Sequence, residues 1–137
     1  MAKEIIVPKG VLDSRKKYKY SQAIKTGNLI FLAGQVAWDE NGEVVGKGNY
    51  EAQLRQILEN VKRTLAAAGA QMSDIVWILW LHTDIRHAMT SGIGGRHTPL
   101  WKEYFGDSMP PGTRVQVSNL GAPDLLLEVQ VIAAVDK

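Results

Sequence analysis

Between Tyr50 and Ala68, Leu54, Ile57, Leu58, Val61 and Leu65 recur three and four residues apart, so they share one face of a helix. Asn49 is placed to cap its start and Gly69 its end. Shortly afterwards the period changes. Ile75 to Thr83 is a continuous apolar run of branched and aromatic residues, the pattern of a buried strand. An amphipathic helix feeding a strand buried on both sides restricts the chain to a layered fold in which helices cover a sheet.

The flanking segments fit that frame. Glu4 to Val7, Tyr20 to Lys25 and Leu29 to Trp38 read as strands, the latter two separated by the turn residues Thr26-Gly27-Asn28. Asn41-Gly42 ahead of Val44-Val45 is a hairpin signal. Thr98-Pro99, a cap followed by a first-turn proline, opens a second helix that ends near Gly106 and offers Leu100, Trp101 and Tyr104 as its apolar face. Thr113 to Asn119 and Leu125 to Val135 complete the strands. The fold class expected is α+β: a single two-layer domain over residues 1–137, a mixed β-sheet with two helices on one face. Leu125 to Leu127, Val129, Val131 and Ile132 put apolar side chains on both sides of the last strand. One helix layer covers one face only, so the other is expected to be buried by self-association.

Composition removes several classes of function. With no cysteine there is neither a disulfide framework nor a thiolate metal site, and His82, His87 and His97 lack metal-ligand spacing. These residues supply no recognisable metal-ligand set. The N-terminus shows no signal-peptide pattern and no run nears the ~20 apolar residues of a membrane span, which gives the expectation of a cytoplasmic protein without a membrane partner. A formal net charge of +2 does not call for nucleic acid. The basic run Arg15-Lys16-Lys17-Tyr18-Lys19 reads as a solvated loop, and Trp38, Trp77, Trp80 and Trp101 as packing or interface residues.

Several segments in order resemble one family. Tyr20-Ser21-Gln22-Ala23, then Gly27-Asn28-Leu29 through Ala33-Gly34-Gln35, is similar to the opening pattern of the Rid (YjgF) family of enamine and imine deaminases. Glu51-Ala52-Gln53 through Leu58-Glu59-Asn60-Val61 to Ala67-Ala68-Gly69-Ala70 resembles its first helix. Thr83-Asp84, Glu103-Tyr104-Phe105, and Pro110 ahead of Val115-Gln116-Val117 match in order. The resemblance implies a chorismate mutase-like homotrimer with clefts between subunits. It also implies cofactor-independent hydrolysis of enamines and imines such as 2-aminoacrylate to 2-keto acids and ammonia. In such proteins the tyrosine corresponding to Tyr20 closes over the ligand, and a glutamate on the last strand with nearby backbone groups positions the attacking water. An arginine holds the substrate carboxylate through two parallel hydrogen bonds.

Aligned on Val115-Gln116-Val117, that arginine falls on Gly112, followed by Thr113 and Arg114; the family's water-positioning glutamate is matched to Gln130. Residues two apart on a strand share a face, so Arg114 is expected beside the position of the missing arginine. The candidate site is thus Arg114 and Gln130 for chemistry, with Tyr20, Gly34, Gly112, Thr113 and Arg114 for substrate. Gln130 can orient a water but cannot take its proton at neutral pH. Glu128, on the same face, is expected to pair with a basic residue at a subunit interface. Arg86 to His97 is a glycine-containing insertion, read as a surface loop, with a lid carrying Arg96 or His97 as the lesser reading. Three functions are compatible with this pattern: a divergent hydrolase for a small carboxylate-bearing imine or enamine, with weak 2-aminoacrylate activity; a trimer that binds small carboxylates without turnover; and a nucleic-acid-associated protein affecting translation.

Overall fold

The helix expected from the apolar period forms where its caps place it. In the computed structural model, which describes residues 2–90 and 98–136, α2 runs from Tyr50 to Ala67, and the Asn49 side chain accepts a hydrogen bond from the Ala52 N–H at 3.0 Å. Gly69, at φ +81°, turns the chain out of the helix, and the Ala70 N–H returns to the Leu65 carbonyl at 2.8 Å. Leu54, Ile57, Leu58, Val61 and Leu65 are all buried against the sheet. The second helix also has both its expected ends. In α4, Pro99–Phe105, Thr98 Oγ1 accepts from the Trp101 N–H at 3.3 Å, and the Gly106 N–H reaches the Lys102 carbonyl at 2.9 Å. Among the described residues two short helices were not expected, α1 (Arg15–Tyr18) and α3 (Arg86–Thr90), so the fold has four helices rather than two. The basic run is a helical turn, with Arg15 held to Asp13 at 2.7 Å.

The six strands are β1 (Lys3–Ile6), β2 (Ala23–Thr26), β3 (Leu29–Leu32), β4 (Ile75–His82), β5 (Gly112–Gln116) and β6 (Leu127–Ala134). They form one mixed sheet in the order β1-β2-β3-β6-β4-β5, antiparallel except for the β4–β5 pair. The insertion of β6 between β3 and β4 makes the chain's last strand the centre of the sheet.

Register assigns every side chain to a face. Leu127, Val129, Val131 and Ala133 of β6 stand beside His82, Trp80, Ile78 and Ile75 of β4, all buried beneath the helices. Glu128, Gln130, Ile132 and Ala134 point the other way, so the expectation that β6 is apolar on both faces holds only for its C-terminal half. On that uncovered face a row runs Ile5–Ile24–Phe31–Ile132–Trp77 across five neighbouring strands. Ile5 is 53% and Phe31 42% exposed. The hydrophobic surface that lacks a cover is therefore a property of the whole sheet.

Two other expectations are corrected. The strand expected from Leu29 to Trp38 stops at Leu32; the chain leaves the sheet and returns at Gln35, which bridges Val129 with N–H···O distances of 2.7 and 2.9 Å. Asn41-Gly42 makes a turn but no two-stranded hairpin. The Asp39 carboxylate accepts from the Asn41 and Glu43 N–H groups, drawing them into a local loop, and only the Trp38–Val44 bridge survives.

Candidate functional site

The residues of the opening motif are drawn together by a buried amide pair. The Gln35 side-chain N–H donates to Gln22 Oε1 at 2.9 Å, and the Gln22 amide in turn donates to the Leu12 carbonyl at 2.9 Å. Both glutamines are buried. Ser14 Oγ donates to the Tyr20 carbonyl at 2.8 Å. A small recess results, lined by Tyr20, Gly34, Leu12 and Trp38 among others. Trp38 stacks on Tyr18 at 5.6 Å, and Tyr18 lies 6.4 Å from the Tyr20 ring. The motif is thus a polar latch, and Gln22 and Gln35 are the members that sequence reading passed over.

The carboxylate in this region is that of Glu128. A Cβ at Gly34 would overlap the Glu128 carboxyl group, so the absence of a side chain at Gly34 is what lets Glu128 lie there. Glu128 is half-buried, and burial pushes its carboxyl group above the ordinary range. Tyr20 is near enough to feel it: burial first, and the Glu128 charge with it, raise the Tyr20 hydroxyl. Gln130 sits one step along the same face and is exposed.

The other half of the sequence-derived site is elsewhere. Parallel pairing sets Gly112 beside Ile78 and Arg114 beside Trp80, so both lie on the helix-covered face, whereas Thr113 and Val115 pair with Leu79 and Leu81 on the open face. Gly112 and Arg114 do share a side, as strand parity required. Gly112 leaves no room for any side chain: a Cβ there would overlap the Ile78 carbonyl oxygen and crowd Ile78 Cγ2. Arg114 lies across the Trp80 ring with its guanidinium carbon 4.3 Å from the centroid. Trp80 continues into a stack with Trp101 at 5.8 Å and Phe105 at 4.0 Å from Trp101. One chain therefore brings Tyr20, Gly34 and Glu128 together and holds Arg114 apart from Gln130, on the opposite face of the sheet.

His82, read as a structural residue, is fully buried and lies 3.0 Å through Nε2 from the Tyr50 hydroxyl. Burial first, then the Arg114 charge, lower its pKa to about 4. Arg86 pairs with Asp84 at 2.7 Å, while Arg96 and His97, the residues of the lid reading, lie outside the described residues. Among the described residues no three His, Asp or Glu side chains converge as a metal site would need, and no helix is long and apolar enough to cross a membrane.

Known proteins share this sequence pattern and this fold. The family model described as endoribonuclease L-PSP matches residues 14–135. A RutC family protein of Pyrococcus abyssi is 38% identical over 138 residues, covering 97% of this chain and 98% of that one. The 3-aminoacrylate deaminase RutC of Acinetobacter baylyi is 34% identical over 136 residues, covering 98% and 100%. The crystal structure of YyfA, a conserved Rid family protein of Yersinia pestis, superposes with a TM-score of 0.83 at 29% identity, covering 98% and 100% of the two chains. RidA from an Antarctic Psychrobacter gives 0.81 at 25%, covering 96% and 99%. The six-stranded sheet and its helices form the chorismate mutase-like fold of these proteins, and the chain belongs to the endoribonuclease L-PSP family, that is, to the Rid (YjgF) family.

Proposed function

We propose that this protein hydrolyses a small enamine or imine carboxylate, releasing ammonia, in a cleft completed by a second copy of the chain. The observation that carries the reading is Glu128, a half-buried carboxyl group laid on Gly34 beside Tyr20, with its proton affinity raised by burial. A carboxyl group whose proton affinity is raised by burial is suited to general acid–base work. Protonation of an enamine carbon gives the iminium ion; water then adds to the carbon bearing nitrogen while a base takes its proton, giving the neutral carbinolamine. Collapse of the carbinolamine returns a proton to nitrogen and expels ammonia, leaving a carbonyl. Glu128 is the group that can give and take these protons. Gln130 replaces no part of that role and has at most a water-orienting one.

Arg114 is the carboxylate anchor in this scheme. It lies on the edge strand β5, on the other face from Glu128, so the two meet only if a neighbouring copy brings its Tyr20–Gly34–Glu128 recess against β5. The uncovered apolar row supports such an assembly, a homotrimer in the reading adopted here. The similarity to a 3-aminoacrylate deaminase supports a substrate of that kind. Activity on 2-aminoacrylate is expected to be weak, because Gly112 has no room for the usual arginine.

The test generates 3-aminoacrylate in situ and follows ammonia release. Wild-type protein should accelerate release over the uncatalysed rate, and the Glu128→Gln variant should not. Equal rates for wild type, variant and blank would leave the carboxylate-binding reading without turnover as the better one.

A further inference from the structure

The helix-covered face holds a polar group that the proposed chemistry does not use. Tyr50, the first residue of α2, is buried, and Arg114 stands on the same helix-covered face, beside Trp80 and one step along β5 from the partner of His82, where its charge acts on the Tyr50 hydroxyl. Its hydroxyl also meets His82 Nε2 at 3.0 Å, with the two rings 5.9 Å apart and nearly parallel. Nδ1 of His82 is buried with no hydrogen-bond partner among the described residues. A residue kept there for packing alone would be apolar, because an unsatisfied buried nitrogen costs stability. The arrangement has a definite polarity. Arg114 can only donate, so toward its guanidinium Tyr50 can offer only the oxygen, which leaves the Tyr50 hydrogen for the Nε2 lone pair of a neutral His82.

We infer that Tyr50 and His82 are positioning residues for Arg114, together fixing the guanidinium plane that Trp80 supports from one side. The inference rests on the proposed role of Arg114 as carboxylate anchor. In this reading Tyr50 meets the guanidinium, and His82 acts through Tyr50. The titratable and charged groups facing His82 are Tyr50 from α2, His87 from α3, whose ring lies 5.1 Å from that of Tyr50, and Arg114 from β5. From β6 it meets Leu127, and its register partner Gln116 has its side-chain carbonyl engaged by the Ile85 N–H at 3.1 Å. Protonating His82 would turn Nε2 into a donor, displace the Tyr50 hydrogen and add a second cation near Arg114. The consequence is a pH-dependent anchor.

Calorimetric titration with pyruvate, which stays ionised over the range used, tests this on wild type and three variants. At pH 7 Arg114→Ala should lose about ten-fold or more in affinity, and Tyr50→Phe, which keeps the ring, about three- to ten-fold. Wild-type affinity should fall as pH approaches the His82 value of about 4. His82→Gln, whose amide can still meet Tyr50 but does not titrate, should flatten that fall. If Arg114→Ala binds pyruvate as wild type does, the anchor itself is wrong. If Arg114→Ala is weak while Tyr50→Phe matches wild type, the anchor stands and the positioning role is overturned. An acid-side fall that survives in His82→Gln and vanishes in Glu128→Gln overturns it too. Should Tyr50→Phe fail to fold, the His82→Gln profile decides.

Discussion

The two faces of the sheet are built to different rules. Under the helices, Leu127, Val129, Val131 and Ala133 of β6 are completely buried, and each meets apolar or aromatic neighbours from α2 and β4. On the other face the same strand alternates into Glu128, Gln130, Ile132 and Ala134, half of them polar, with an apolar row crossing the sheet at one end. The closed face is finished within one chain. The open one has apolar surface at one end and a carboxyl group raised by burial at the other. Substitutions on the two faces should therefore fail differently.

The largest contrast is expected at Glu128. Glu128→Gln removes the proton donor and acceptor, and general acid–base groups are typically worth 10²–10⁴-fold, so ammonia release should fall by about that factor. Stability should hold or rise, because an amide is cheaper to bury than a carboxylate. Urea unfolding alongside the rate measurement separates the two; a variant that loses rate only in proportion to folded fraction would show Glu128 to be structural.

A single step along the strand reverses the outcome. Leu127→Ala opens a cavity under α2 and should cost about 2–5 kcal/mol of stability with the assembly intact. Phe31→Asp, on the apolar row, should instead lower the mass by light scattering from about three chains of 15.1 kDa toward one. An unchanged mass for Phe31→Asp would mean that the row is not a contact between copies.

These faces were only partly legible in the sequence. Local signals were strong where one physical rule dominated: the three-four period with Asn49 and Gly69 gave α2, and Thr98-Pro99 gave α4. The strand from Leu29 was read too long because its apolar character continues past Leu32, while the break is imposed by tertiary pairing of Gln35 with Val129. Arg55, placed to pair with Glu51 one turn away, reaches Glu103 of α4 at 2.9 Å instead. Arg63 and Glu59 do approach, at 3.8 Å. At the site, strand parity correctly put Gly112 with Arg114 and Glu128 with Gln130. Parity within a strand says nothing about which face two separate strands share, and that relation comes only from the β4–β5 and β4–β6 registers. That Glu128 lies against Gly34 was not legible, because this close packing joins residues far apart in sequence.

The smallest effect is the pH dependence of stability, because the two faces oppose each other. His82 has a folded pKa of about 4 against an ordinary 6.5. Between those values the unfolded chain binds the extra proton, so the His82 contribution is present above about pH 6.5 and is lost as pH falls toward 4. Glu128 is shifted upward from 4.5, so the folded protein takes its proton first and gains stability as pH falls through that raised value. The exposed pairs of Asp13 with Arg15 and Asp84 with Arg86 hold their carboxylates at about 2 and so act mainly below this window. Wild-type stability between pH 7 and 4.5 should therefore decline gently. His82→Gln should remove the decline and leave a slight gain on acidification, whereas Glu128→Gln should steepen it. Chemical denaturation at several pH values in that range, at fixed protein concentration, measures all three slopes. If Glu128→Gln has the wild-type slope, Glu128 takes up its proton no more readily in the folded protein than in the unfolded one, and the carboxyl group on the open face is not tuned for the chemistry proposed for it.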